Sequence, residues 1–300
     1  MLGLIRFSHT IFALPFAVLA AVLALHVPLP SGEMPTLRLR DAAGILLCMV
    51  FARSASMAFN RLVDHDIDAD NPRTAGRHLP AGLLKRGEVW GFTIFCCIGF
   101  VASTLAFWPN WIPLAASTPV LAFLLGYSLA KRFTWAVHFW LGTALSLAPV
   151  CVWVALRGQA ILASPGDLLP SLVLAAAVAT WVAGFDMIYA CQDEQFDRQQ
   201  GLKSVPAWLG TRGALRLAAA CHGMMVGCLA LLPLSSAALG LGIVYYGAIG
   251  LIALLLIYEH WLVRPDDLQR VNVAFFHINA AISIWLLLAA WLDTWYIGAG

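Results

Sequence analysis

The sequence predicts an all-α membrane protein, and three observations carry that reading. Of the 300 residues, 61% are hydrophobic and only 11% charged, with a mean hydropathy of +0.81, whereas soluble chains carry roughly twice that charged fraction. Apolar stretches near the length of about 20 residues that crosses a hydrocarbon core recur along the whole chain. Short alternating strands with turn signals are missing, and isolated strands cannot cross lipid.

Taken in order, the expected spans are residues 9–27, 43–63, 90–107, 111–130, 135–156, 168–191, 213–233, 238–258 and 274–292. The first has a long apolar run and lacks a small-x-small cleavage site, so it reads as a retained helix and not a signal peptide. Pro28, Pro30, Pro109, Pro113, Pro119, Pro149 and Pro170 are expected at span ends or within a turn or two of them, where a missing backbone donor costs least. Gly82, Gly201 and Gly210 are expected in loops, and no linker suggests a second domain, so residues 1–300 are expected to form one.

With the N-terminus on the cytoplasmic side, 14 of the 18 Lys and Arg residues fall there, against Arg38, Arg40 and Arg157 on the other side and Arg53 within a helix. The positive-inside rule therefore places the ends of the second and sixth spans in the cytoplasm.

The second span runs into a polar track. Arg53, Asn60, Asp64 and Asp68 are separated by seven, four and four residues, which on a helix puts them on one stripe with a rise of roughly 6 Å per four-residue step. Two carboxylates one turn apart repel unless a cation sits between them, and with the Asn60 amide oxygen they offer hard ligands that suit Mg²⁺. The sixth span ends in a second copy, with Asp186, Asp193 and Asp197 at spacings of seven and four. Asp64 and Asp193 stand 129 residues apart, which suggests two four-helix pseudo-repeats of one orientation with a ninth helix added.

Intramembrane acids are costly and usually paired or functional. Two acidic clusters among Arg53, Arg73, Arg77, Lys131, Arg198 and Lys203 match a polyanion bridged by metal, such as a diphosphate, whereas Arg86, Arg212 and Arg216 need only the positive-inside rule. The seven cysteines lie in apolar stretches without zinc spacing and read as small core residues, and no HExxH or HxxxH pair supports a transition metal. His138, His222 and His277 are expected as hydrogen-bonded interior residues. A net charge of +2 with no Lys/Arg run gives no reason to expect nucleic acid as a partner.

At these residues the chain resembles the UbiA superfamily of intramembrane prenyltransferases. Asn60, Asp64 and Asp68 stand in an NxxxDxxxD motif preceded by Arg53 and followed by Arg73, Thr74, Arg77, Leu79, Pro80 and Gly82; Asp186, Tyr189, Asp193 and Asp197, followed by Gly201, Lys203 and Ser204, match the second motif. Between them, Tyr127, Lys131 and Arg132 match a Y-x3-KR stretch. The resemblance covers almost the whole chain. It implies nine helices around a central cavity in which Mg²⁺ at Asn60, Asp64, Asp68, Asp193 and Asp197 holds the diphosphate of a polyprenyl donor, with Arg53, Arg73, Arg77, Tyr127, Lys131 and Lys203 binding that diphosphate. An aromatic acid acceptor of the 4-hydroxybenzoate type then attacks the allylic cation, and Asp186 either serves that chemistry or pairs with Arg53 as a structural acid.

Arg61 after Asn60 and the run CQDEQFD depart from the ubiquinone branch and resemble forms linked to prenylation of a dihydroxynaphthoate for menaquinone, which is the alternative acceptor. A secondary transporter is the competing class, but it would break its helices at the midplane rather than gather acids and bases at helix ends. Phosphoryl-alcohol transfer within membranes would need a D-x2-D-G-x2-A-R motif that this chain lacks.

Overall fold

A computed structural model describes residues 10–265, 268, 271 and 277–297. Among them are eleven α-helices and no β-strand. Seven helical stretches, from Leu39–Val63 to Ile243–Leu262, are long and apolar enough to cross a membrane; a shorter apolar stretch, Leu14–His26, lies in the first helix. The ninth expected span is represented by Asn279–Leu292, while residues 9 and 274–276 of the expected spans, with Arg6 and Arg270, lie outside the described residues. Ile94, Phe95, Ile98, Leu254, Ile257 and Trp261 are all more than half exposed, as lipid-facing side chains are. The chain divides into two compact units, with described residues 37–132 in one and 10–36 and 133 onward in the other.

The first unit holds α2 (Leu39–Val63), α3 (His65–Asp70), α4 (Arg86–Ser103) and α5 (Ile112–Ala130). Helix α2 starts where Arg38 binds the Asp41 carboxylate through Nε at 2.8 Å and through its own N–H at 3.3 Å, a cap that satisfies a helix-start donor. Close approach to the segment after α4 depends on Gly44, since a Cβ there would stand 2.8 Å from that of Ala106. Ser56 Oγ donates to the Leu124 carbonyl and joins α2 to α5. Ala58, Leu62, Leu79 and Val89 form a small core, so the loop after α3 is pinned by Leu79. That pin brings Arg77 back toward the end of α2.

The second unit holds α1 (Thr10–His26), α6 (Val137–Ala163), α7 (Leu169–Ala190), α8 (Glu194–Gln199), α9 (Val205–Leu231), α10 (Ile243–Leu262) and α11 (Asn279–Leu292). Helix α7 is its centre, with Leu174, Ala177, Val178, Trp181, Val182 and Met187 all buried. Helix α6 packs on it at Gly142, where any side chain would strike the Ala179 carbonyl, and α9 packs on it at Gly184, against the His222 ring. Trp181 is fully buried against Phe16 and Phe185, with both ring centroids at 5.0 Å, and donates to Asn279 at 2.7 Å.

Several expectations need correction. Arg157 lies inside α6 and is 1% exposed, not in an outer loop: it pairs with Asp167 and donates to the carbonyls of Ala24, Val27 and Pro28. Those donations satisfy the free carbonyls at the end of α1 and join α1 to the second unit. Since α6 runs on to Ala163, Pro149 sits near its middle. Gly210 separates two helical stretches within Val205–Leu231 at φ 71°, a turn at the position where one was expected. His138 and His222 are buried, but His277 is exposed.

Candidate active site

The two acidic motifs share one local plan that helical spacing alone does not show. In each, a long apolar helix gives way to an aspartate with near-bridge dihedrals: Asp64 directly at the end of α2, with φ −89° and ψ 9°, and Asp193 after a 3₁₀ turn, Cys191–Asp193, that follows α7, with φ −103° and ψ 3°. A six-residue helix then restarts, carrying Asp68 or Asp197 in its first turn. The expected single stripe is therefore bent at its third member, although Asp68 N–H still donates to the Asp64 carbonyl at 2.7 Å across the break.

In the first motif both carboxylates are buried, at 4% exposure for Asp64 and 3% for Asp68. Arg77 Nη1 donates to both Asp68 oxygens at 2.6 and 2.8 Å, and Arg61 stands 3.9 Å away. Asp64 faces Lys131 at 3.6 Å and Arg132 at 3.1 Å, and receives a hydrogen bond from Asn60 Nδ2 at 2.9 Å. Arg132 also donates to the carbonyls of Val63 and Ser128, so it closes the end of α2 as well as countering Asp64. Four cations thus meet two carboxylates, leaving positive charge in excess. Thr74 Oγ1 holds the Asp68 carbonyl at 3.0 Å and Asn71 Oδ1 accepts from the Arg73 N–H at 2.9 Å, which shapes the loop that carries Arg73 and Arg77.

Arg53 lies on α2 about two turns before Asn60, and its Nε is buried without a hydrogen-bond partner. Tyr127 and Lys131 occur one turn apart at the end of α5. Beside the track, the His65 ring hydrogen-bonded to Asp66 at 2.7 Å holds that exposed carboxyl below the usual carboxylate range.

In the second motif Asp197 is buried, while Asp193 is half-buried. Glu194, also within this motif, is committed to architecture: it accepts from the Thr211 N–H at 2.8 Å and from the Thr211 hydroxyl, and pairs with Arg198 at 3.2 Å. Arg198 Nε donates to the Ala207 carbonyl. Lys203 donates to the Phe133 carbonyl at 3.1 Å and lies over the Trp135 ring, which stacks on Trp208 with centroids 5.5 Å apart. Asp186, one turn before the end of α7, accepts from His138 Nδ1 at 2.6 Å.

The residues of the first motif fit Mg²⁺. Asp64 Oδ1 is buried without a hydrogen bond; Arg132 Nη2 stands 3.1 Å from it, and the oxygen keeps acceptor capacity that a metal ion can use. Among the described residues no group of three or more His, Cys, Asp or Glu forms a complete cage, and Mg²⁺ characteristically takes one or two carboxylates and completes its shell with water and substrate phosphate. Sequence spacing did not single out Arg61, Arg132 or His138 as partners of the acids. For Arg61 the only signal is its place beside Asn60, for Arg132 its place in the Lys131–Arg132 pair, and for His138 there is none, because it is 48 residues from Asp186.

A model of the UbiA prenyltransferase family matches residues 11–297. The chain is 30% identical over 240 residues to a 4-hydroxybenzoate octaprenyltransferase of Xanthomonas campestris, covering 79% of this chain and 75% of that one. It is 32% identical over 183 residues to a mitochondrial 4-hydroxybenzoate polyprenyltransferase of Caenorhabditis elegans, which covers 60% of this chain but only about half, 48%, of that relative. Among solved structures, the apo UbiA homolog from Aeropyrum pernix superposes with a TM-score of 0.80 at 35% identity, over 95% of this chain and 97% of that one. The UbiA homolog from Archaeoglobus fulgidus bound to GPP and Mg²⁺ shares the fold, with a TM-score of 0.69 at 22% identity over 96% and 98% of the two chains.

Proposed function

The chain belongs to the UbiA prenyltransferase family, and from that premise we propose that it moves a polyprenyl chain from polyprenyl diphosphate to the ring of an aromatic acid of the 4-hydroxybenzoate type, with Mg²⁺, in quinone biosynthesis. The observation that carries this reading is the first motif, where four basic side chains surround two buried carboxylates. That excess of positive charge has the sign and hydrogen-bonding capacity to grip a diphosphate.

Asn60, Asp64, Asp68, Asp193 and Asp197 are the residues that would hold Mg²⁺, which when bound neutralises charge on the departing diphosphate. Arg53, Arg73, Arg77, Tyr127, Lys131 and Lys203 bind the diphosphate oxygens, and the cations among them stabilise the charge that grows as the donor C–O bond breaks. A carbon of the acceptor ring forms the new C–C bond, diphosphate leaves, and the ring proton passes to Asp186. Apolar helix surface around the polar track keeps water from capturing the prenyl cation.

The relatives named as 4-hydroxybenzoate prenyltransferases support the acceptor class, and the fold neighbour holding GPP and Mg²⁺ supports the donor class. We place the enzyme in a bacterial inner membrane, as its similarity to a bacterial relative supports, with both motifs at the cytoplasmic face on the charge bias of its loops, and read residues 1–300 as one catalytic domain. The test is purified protein with Mg²⁺, a radiolabelled prenyl diphosphate and a panel of 4-hydroxybenzoate and dihydroxynaphthoates. Prenylated 4-hydroxybenzoate is the expected product. Product with a dihydroxynaphthoate alone would replace the acceptor, and no diphosphate release with any ring would overturn the proposal.

A further inference from the structure

Asp186 is tied to a group that the proposed reaction does not use. His138, in the first turn of α6, is buried at 3% exposure and has partners on both ring nitrogens. Nε2 accepts from the Val205 N–H at 3.2 Å, and Nδ1 lies 2.6 Å from Asp186 Oδ2. Val205 opens α9, so its N–H is one of the helix-start donors that no carbonyl within the helix can satisfy.

The two contacts fix the proton. Because Nε2 must offer a lone pair to the Val205 N–H, the proton of the neutral ring sits on Nδ1 and points at Asp186. The backbone of α9 therefore sets the tautomer, and the tautomer makes His138 a donor to the acid on α7. Asp186 keeps 18% side-chain exposure; with Oδ2 engaged, Oδ1 remains to accept a proton.

We propose that His138 is the positioning residue of Asp186, fixing its carboxylate in one orientation so that Oδ1 takes the ring proton once the C–C bond has formed. This rests on the prenyl-transfer reading. No proton leaves His138 in this step: the ring C–H bond breaks, its electron pair restores aromaticity, and the proton goes to Asp186 and then to water.

Three substitutions separate the two contacts. In His138→Asn the amide nitrogen takes the place of Nδ1 and can still donate to Asp186, whereas in His138→Gln the side-chain oxygen can still accept from Val205 but the donor is lost. His138→Ala removes both. The expected result is that Ala and Gln lower kcat about 10- to 100-fold, the value of a hydrogen bond to a charged group, with donor KM unchanged, while Asn restores most of the rate. In His138→Ala a primary isotope effect should appear with acceptor deuterated at the attacked carbon, because proton removal becomes slow. In an Asp186→Asn background, His138→Ala should cause no further loss. Thermal unfolding of the Asn and Gln variants, which retain most of the volume, shows that the comparison is made on folded protein. Rescue by Gln and not by Asn, or a full loss of rate on the Asp186→Asn background, would assign His138 to the packing of α9 and overturn the proposal. If wild-type protein released no diphosphate with any acceptor, the functional reading would fall and this inference with it; turnover by the wild type with the wrong variant pattern would remove this inference alone.

Discussion

The two acidic motifs have the same backbone plan and different surroundings. Around Asp64 and Asp68 the neighbours are cations: Arg61, Arg77, Lys131 and Arg132 all approach within 4 Å. Around the second motif, Glu194 bonds Thr211 and Arg198, Lys203 is engaged by a carbonyl and an indole ring, and Asp186 is held by a histidine. A helix that stops at an aspartate and restarts does not by itself define an anion site; the charges brought to it by other elements do. The first motif gathers an excess of positive charge, while in the second Glu194 and Arg198 tie the loop to α9.

The comparison assumes that both motifs face one compartment. A cysteine introduced near Gly82 or Gln200 should react with an impermeant reagent only from the cytoplasmic side, and one near Asn110 only from the outside. Opposite labelling of Gly82 and Gln200 would end the idea that the motifs serve one reaction.

The largest kinetic effect is expected from Asp64→Ala and Asp193→Ala. Each removes a carboxylate proposed to hold Mg²⁺, and transfer should fall to background while the protein stays folded and membrane-inserted. Full activity in either variant, measured with labelled donor, would break the assignment of that motif. Asn60→Ala should weaken Mg²⁺ saturation without abolishing turnover, since a neutral amide oxygen contributes less than a carboxylate.

A smaller effect separates the two lysines. Lys131→Ala should raise donor KM and lower kcat, together about 10- to 100-fold in kcat/KM, because it removes a charge-assisted contact that strengthens as the leaving group gains charge. Lys203→Ala should cost less, because part of its hydrogen-bonding capacity is already engaged by the Phe133 carbonyl. Steady-state kinetics showing the reverse order would move the centre of diphosphate binding to the second motif.

The smallest effect is structural. Thr211→Ala removes the hydroxyl donor to Glu194 and should lower stability by about 1 kcal/mol, read as an earlier thermal unfolding transition in detergent with donor KM unchanged. A large rise in donor KM would mean that Glu194 belongs to the binding machinery after all.

Much of this was legible in the linear sequence because it is encoded locally. Hydropathy over about 20 residues marks a span whatever surrounds it, and the i, i+4 spacing that places Asn60 beside Asp64 survives in the structure as a 2.9 Å hydrogen bond. Both acidic motifs, and Arg77 and Lys131 among the bases around the first, are therefore legible in the sequence. What only the tertiary structure decided is which partner each charged group takes. The bends at Asp64 and Asp193 are choices of backbone dihedral that a run of helix-compatible residues does not reveal. Arg157 looked like an outer-loop base until α6 ran past it and the carbonyls closing α1 came within its reach. His138 became the partner of Asp186 because α6 and α7 pack side by side and α9 begins where its second nitrogen points. Contacts between residues 48 or 130 positions apart are set by packing, and neither helical periodicity nor hydropathy carries information over that range.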